Sequence, residues 1–353
     1  MSEEIVTISA DGQRWTGFTD VHVHASFSHA ARSFGFKIAA EFGVADTLWR
    51  FAAGTPIEIF LSNDLVCRGY VDRYQSEAVG HKKADISISG RSRAQDFIDS
   101  AAIHDTGEFL NKTPLEIAQA LDKFGVGITS DQTLDKVPVY RITPGETAFN
   151  AVEKLARSAG VWLSGQADGS ISITVAGQGR NSPVIEGKNM LAGKVDHNWA
   201  NRHSHVIVRG QRVSGSGPQA MEISAESHDS NLQRFRPTSI VHDGDTDKDR
   251  VKVRADHRRD SEAGNSLKAH VSVQGFHDEG GKLWSPGNLV FLESPALGVA
   301  QDMAISSIEF EQSRTRGSLS QLSLVDPRAL GAKSGRKGGK QEKSWASTAG
   351  YAD

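Results

Sequence analysis

The sequence predicts a mainly β chain with α+β insertions. Three observations predict it. Apolar and polar residues alternate over short windows, as in Ile57, Ile59 and Leu61 against Glu58, Phe60 and Ser62. A period of two marks a half-buried strand. Turn chemistry separates these windows, and most of the 35 glycines fall at their ends. Helical spacing is confined to a few stretches.

A chain of 353 residues is too long for one ordinary core and predicts two to four domains. Its 38% hydrophobic and 24% charged content is globular. The formal charge of −3 argues against a nucleic-acid binder that works through bulk positive charge. Cys67 is the single cysteine, so no disulfide forms within the chain, as suits a reducing cytosol. Met1-Ser2-Glu3-Glu4 is acidic and lacks the regions of a signal peptide. No apolar run approaches the roughly 20 residues of a spanning helix, which predicts no membrane partner.

In chain order, Ile5–Ile8 is a strand and Asp11-Gly12 a hairpin turn. Val21 to Phe27 and Phe34 to Ile38 alternate again. The stretch from Pro56 to Ala102 is a three-stranded meander, Ile57–Leu61, Leu65–Tyr74 and Ile86–Ile88, that hands over to a helix carrying Ala94, Phe97, Ile98 and Ala101. Gly69 marks a bulge or a close backbone approach. About six strands that bury one face predict a small closed or nearly closed barrel over 1–102. It is completed by residues of about 185–212.

An α+β unit is inserted at 103–184. Thr113-Pro114-Leu115-Glu116 is a capping box that starts a helix closed by Gly125. A second helix carries Phe149, Val152, Leu155 and Ala156 and ends at Gly160; Ala167-Asp168-Gly169 then turns a hairpin. Residues 213–330 form a second β-barrel domain, with an irregular and helical insertion at about 224–264. There Asp247 starts a helix that Gly264 ends. Val213 to Gln219 is a flexible connection. The Gly-, Lys- and Ser-rich stretch 331–353 cannot bury enough apolar surface to offset its ordering entropy and is expected to be a disordered tail. One internal echo stands out: Leu48-Trp49, Gly54 and Ile57–Leu61 resemble Leu283-Trp284, Gly287 and Leu289–Leu292, which suggests two related units.

Candidate chemistry is sparse. His22 and His24 are spaced to point the same way on a strand and to share a metal in a hydrolase, but the further ligands of such a site come from a β/α barrel, and the next hundred residues are antiparallel β. A polar strand face is the plainer reading. The acids from Asp243 to Asp249 miss the EF-hand order and suit a solvated loop that caps the next helix with Asp247. Lys333, Arg336, Lys337, Lys340 and Lys343 suit a solvating terminus, with phosphate contact as the alternative. A carbohydrate- or cell-wall-binding module needs an exposed aromatic cluster, whereas Trp162, Trp199 and Trp284 sit mostly in strand patterns that suggest core. No nucleophile elbow or phosphate loop is present. The residues predict no catalytic group, no cofactor and no metal.

Several segments together resemble the baseplate hub and tail proteins of contractile-tailed, Mu-like phages, with a hub fold of the T4 type. They are Gly69-Tyr70-Val71-Asp72 with Gly90-Arg91 through Asp96 and Asp99; Pro144-Gly145-Glu146-Thr147 leading to Trp162 and Asp168-Gly169; and Gly281 through Trp284 and Gly287 to Asp326-Pro327. Their order and spacing carry the resemblance. Gly69, Asp72, Gly90, Arg91, Asp96, Asp99, Trp162, Gly169, Trp284 and Gly287 are thereby marks of fold, and Arg91 is placed to pair with Asp96 or Asp99. The resemblance implies two tube-like barrels and a ring-forming subunit. It implies a homotrimer that joins a six-fold tail tube and its baseplate proteins to a three-fold puncturing spike, and that passes DNA without specific binding. Such a protein is located in the virion tail baseplate, assembles in the host cytoplasm, and is not an enzyme.

Overall fold

A computed structural model describes residues 4–41, 51–79, 83–211 and 223–332. The chain opens with β1 (Val6–Ala10), β2 (Gln13–Trp15), β3 (Asp20–Ser26), β4 (Ser33–Glu41), β5 (Pro56–Leu61), β6 (Asp64–Val79) and β7 (Lys83–Ser92). Next come α1 (Gln95–Asp99), β8 (Glu108–Lys112), α2 (Pro114–Leu121), β9 (Ile128–Ser130), β10 (Val137–Arg141), α3 (Ala148–Ser158), β11 (Trp162–Gly165) and β12 (Ile171–Thr174). They are followed by β13 (Val184–Ile185), β14 (Met190–His197), β15 (His205–Gln211), β16 (Ile223–His228), β17 (Pro237–Asp245) and α4 (Lys248–Asn265). The last elements are β18 (Leu267–Gln274), β19 (Leu289–Ser294), β20 (Val299–Ser313), β21 (Gly317–Val325) and a 3-10 turn at Pro327–Leu330.

Local chemistry explains the punctuation. Asp11 and Gly12 both take positive φ, 50° and 73°, as a two-residue turn between twisted strands requires. At α2 the Thr113 hydroxyl accepts from the Glu116 N–H (3.2 Å) and the Glu116 carboxylate accepts from the Thr113 N–H (2.8 Å). Thr147 and Asp247 cap α3 and α4 by the first half of that arrangement alone, accepting the N–H of Asn150 and of Arg250. Two helix ends differ from expectation. α2 stops at Asp122, whose carboxylate draws in the N–H groups of Val126 and Gly127 before Gly125 can serve as the cap. Gly264 lies inside α4, where a Cβ would stand 2.2 Å from the Ala329 nitrogen; close packing on the 3-10 turn requires it.

Thirteen strands form one connected sheet, in the order β14-β18-β21-β20-β3-β4-β7-β6-β5-β1-β2, with β19 on β20 and β13 on β19. Its two halves repeat. The first runs β3-β4-β7-β6-β5-β1 and the second β14-β18-β21-β20-β19-β13. The registers repeat as well: Val79 opposite Lys83 corresponds to Ser313 opposite Gly317, and Tyr70 opposite Arg91 to Ala304 opposite Val325. Both long strands carry a bulge at the same place, between Val71 and Arg73 and between Ile305 and Ser307. The one difference of sense is at the edge, where β1 is antiparallel to β5 and β13 parallel to β19. The sequence echo falls on this repeat, with Ile57 of β5 matching Val290 of β19, although Leu48-Trp49 lies outside the described residues.

The strands correct two expectations. Among the described residues no pairing closes either half into a barrel; β3 instead pairs β20, joining the halves over one core that includes Phe36, Ile59, Val271 and Phe310. Residues 185–212, expected to complete the first barrel, lie elsewhere: β13 and β14 pair β19 and β18, and β15 joins a separate three-stranded sheet with β16 and β17. Alternation tells which face of a strand is buried and leaves its partner open. The stretch 224–247, unreadable in sequence, supplies β16 and β17, whose sheet packs Val206, Val208 and Ile223 on Val251 and Ala255 of α4. The inserted α+β unit has its own core around Phe97, Leu121, Val152 and Ile173. The Val213–Gln219 connection and the five basic residues from Lys333 to Lys343 lie outside the described residues.

His277 clamps the two halves. Its Nδ1 meets the Glu4 carboxylate and its Nε2 that of Asp64, each at 2.8 Å. Burial alone would lower its pKa, but the hydrogen bonds to Asp64 and Glu4 outweigh burial and hold it above the ordinary value. A raised folded-state pKa gives stability that is fully present below the unfolded value of about 6.5 and is lost as pH rises through the folded one. Thermal melting measured from pH 6 to 8.5 is therefore expected to show a falling midpoint, and His277→Gln is expected to flatten that fall.

Candidate functional site

The residues that marked the fold in sequence are mostly points of close approach. A Cβ on Gly69 would stand 2.0 Å from the Arg91 carbonyl oxygen, and one on Gly90 2.1 Å from that of Tyr70, so β6 and β7 meet where neither can carry a side chain. Gly169 takes φ +82° in the β11–β12 turn, against Arg93 and the Arg68 carbonyl; Gly287 takes the same φ against the Phe27 ring. Arg91 pairs with Asp99 (2.7 Å) and with Asp72 (3.0 Å). Asp96, the alternative partner, sits in the first turn of α1. These pairs are surface ones, worth about 0–1 kcal/mol each. Trp284 is buried in the main core and Trp162 packs against a small cluster that includes Phe27 and Leu330. Trp199 is the exception to the core reading of the tryptophans: it is exposed, with the Arg202 guanidinium over its ring.

The His22/His24 pair has a structural use. In the β3–β20 pairing His22 lies opposite Glu311 and His24 opposite Glu309, and the His24 Nδ1 to Glu309 carboxylate distance is 2.9 Å. The His24–Glu309 contact adds to the β3–β20 ladder that joins the two halves of the sheet. Among the described residues this pair joins no third ligand close enough to share an ion. The single cysteine, Cys67, is fully buried, and burial pushes its thiol up to about 12 despite the nearby Arg32.

The surface features that the repeat singles out are two strand edges. On β20, residues 307–313 have β21 on one side and β3 on the other. The matching residues of β6, 73–79, have β7 on one side, and among the described residues no strand on the other. From Ala192 to His197, β14, the counterpart of β3, is likewise paired on one side alone among the described residues, by β18; at its start Met190 also bridges Glu186. Arg73, Gln75, Ser76 and Glu77 are exposed, as are Lys194 and Asp196. Neither edge was legible as an edge in sequence: Leu65–Tyr74 reads as a strand and 185–212 as the completion of a barrel, and the signal that could have exposed the edges is the repeat carried through to its registers.

Comparison with known proteins agrees with this architecture. Residues 5–92 match the Mu phage baseplate assembly protein GpP-like N-terminal domain, 94–175 the baseplate hub protein gp44-like second domain, and 247–332 the Mu phage baseplate assembly protein GpP fourth domain. The baseplate hub protein gp44 of Escherichia phage Mu is 24% identical over 334 residues, covering 91% of this chain and 87% of that protein. The 43 kDa tail protein of prophage MuSo2 from Shewanella oneidensis superposes with a TM-score of 0.82 at 26% identity, covering 93% of this chain and all of that one. The tail protein from Neisseria meningitidis MC58 shares the fold, with a TM-score of 0.78 at 18% identity over 93% of this chain and 98% of that one. So does the E. coli c3393 protein, a type VI secretion component described as similar to the T4 tail proteins gp27 and gp5, with a TM-score of 0.57 at 8% identity over 90% of this chain and 76% of that one. Matches to first, second and fourth domains in chain order, with likeness over nearly the full length, place the chain in the Mu-like phage baseplate hub and tail protein family.

Proposed function

We propose that the chain is the ring-forming subunit of the hub, and that three copies close by pairing β6 of one with β14 of the next. The internal repeat carries this reading. Inside one copy, the first half meets the second through β3 on β20. Applying the same relation once more puts β14 of a neighbour on the free edge of β6. The register transfers directly: Gln75 falls opposite Asp196, Ser76 opposite Val195 and Glu77 opposite Lys194. The last pair is of opposite charge, the counterpart of His22 opposite Glu311. An edge left open invites another chain, and a heterologous contact of this kind closes a ring when its rotation permits.

Three copies then present six similar half-units, completing two tube-like barrel walls per copy. Such a collar matches a six-fold tail tube on one side and a three-fold spike on the other. The likeness to a protein described as similar to gp27 and gp5 supports the spike partner. The role is mechanical: the subunit acts by shape, passes DNA through its bore without specific binding, makes or breaks no covalent bond, and belongs to the virion baseplate after assembly in the host cytoplasm. Each contact is expected to bury more than about 1,000 Å².

Cysteine pairs test the register, because Cys67 is buried and does not compete. Gln75→Cys with Asp196→Cys, or Glu77→Cys with Lys194→Cys, is expected to give a covalent trimer on non-reducing gels that collapses to monomer on reduction. Light scattering is expected to show the trimer weakened in Glu77→Lys and restored in Glu77→Lys/Lys194→Glu. A cysteine-pair variant that is trimeric by light scattering yet gives no disulfide-linked species on oxidation would sink the β6–β14 pairing.

A further inference from the structure

We propose that His205, Glu226 and His228 form a binding site for a divalent transition-metal ion of the Zn2+, Co2+ or Ni2+ kind. The backbone brings the three together. β15 and β16 are antiparallel with His205 directly opposite His228 and Ile207 opposite Glu226. Glu226 and His228 are two residues apart, so they share a face, and cross-strand pairing puts His205 on that face too. The opposite face is committed to packing on α4 through Val206 and Val208. The outer face is thus left with two imidazoles and a carboxylate whose donor atoms all lie within 4.8 Å of one another. His228 Nε2 is 3.6 Å from Glu226 Oε1, and the two imidazole centroids are 4.2 Å apart. Donors around a tetrahedral zinc with bonds of about 2.0–2.2 Å sit about 3.3 Å apart, so small rotations of exposed side chains close the site.

Two further features suit a ligand set. The His205 Nδ1 lies 2.8 Å from the Ser204 hydroxyl oxygen, which is buried and also accepts the Arg236 N–H at 2.8 Å. With Nδ1–H donating to that oxygen, Nε2 keeps its lone pair for a metal; metal-bound histidines are oriented by such outer hydrogen bonds. The strand ends that carry both histidines are also fixed: Asp229, next to His228, takes both a bidentate contact from Arg202 and gives its N–H to the Ser204 carbonyl at 2.9 Å. A simple ion pair between Glu226 and a protonated His228 accounts for two of the three residues; His205 joins them through its cross-strand register and meets the Phe235 ring edge-on at 5.0 Å. Two nitrogens and one oxygen favour zinc, cobalt or nickel over calcium or magnesium, and leave a coordination position for water or a neighbour's side chain.

The test uses tag-free full-length protein, stripped with chelator and dialysed. Co2+ is titrated while the visible absorption is followed, and Zn2+ binding is measured by equilibrium dialysis with elemental analysis. About one ion per chain is expected, with affinity falling at least about tenfold in His228→Ala and in Glu226→Ala, both at exposed positions. His22→Ala/His24→Ala is expected to bind as the parent does. Circular dichroism confirms that each variant is folded. Absence of saturable binding, or binding that survives the loss of His228 and Glu226, or that disappears with His22 and His24, would overturn the proposal.

Discussion

Replacing Arg202 with alanine is expected to cost about 3–5 kcal/mol and to unfold the small sheet of β15, β16 and β17. Arg202 and Asp229 are bidentate at 2.6 and 3.1 Å, and their side chains are only 7% and 5% exposed. Burial alone would raise the Asp229 pKa; the Arg202 contacts and the Asn231 N–H outweigh it and hold the carboxyl below its ordinary range. Without Arg202 that carboxylate is buried and uncompensated. It must then take up a proton or drag in water, and either breaks the link between the starts of β15 and β17 and the end of β16. Arg202→Met/Asp229→Leu removes both charges and is expected to cost far less, since paired burial of ions is itself expensive. Hydrogen exchange localised to β15–β17, with thermal melting of the whole chain, reads both outcomes. A single-variant cost under about 1 kcal/mol would contradict the account.

The second large effect is expected at Gly90→Val. The first carbon of any side chain there would fall 2.1 Å from the Tyr70 carbonyl oxygen and 2.5 Å from the Phe34 ring. Gly90 lies opposite Phe34 on β4 and Val71 on β6, in the middle of the sheet, so neither neighbour can withdraw without breaking ladder bonds. Overpacking typically costs about 1–3 kcal/mol, and contact with backbone rather than with a flexible tip puts this site at or above the upper end. Ser89→Val, one residue away on the exposed face, is expected to stay within about 0.5 kcal/mol. Denaturant unfolding of the two variants side by side gives the comparison, and equal midpoints would refute the close-approach reading.

The same sites show what could be read without coordinates. Gly69 was legible as a bulge or a close approach because a glycine inside an alternating strand has few other uses, and the structure gives the close approach. The α2 capping box and the Asp11-Gly12 turn were legible because all their atoms lie within a few residues of chain. The seam between the halves was not. His24 meets Glu309 across 285 residues, and nothing near either residue announces the other. His205, Glu226 and His228 escaped notice for the same reason: Glu226 and His228 look like a polar strand face until β15 is laid beside them. The tertiary register also reassigned the H-x-H of β3, which invites a metal reading in sequence and serves as a cross-strand contact in the fold.

Sequence alone was enough for the mainly β class, the inserted α+β unit, the helix N-caps, the Asp11-Gly12 turn and the family, because each depends on local periodicity or on the order of short segments. It took the tertiary structure to show that one sheet runs through both halves, that the second repeats the first register for register, and that β6 and β14 each keep an edge with no strand partner among the described residues. Strand pairing is made by backbone groups that every residue carries alike, so a strand's own residues fix its buried face and leave the choice of neighbour to the fold as a whole.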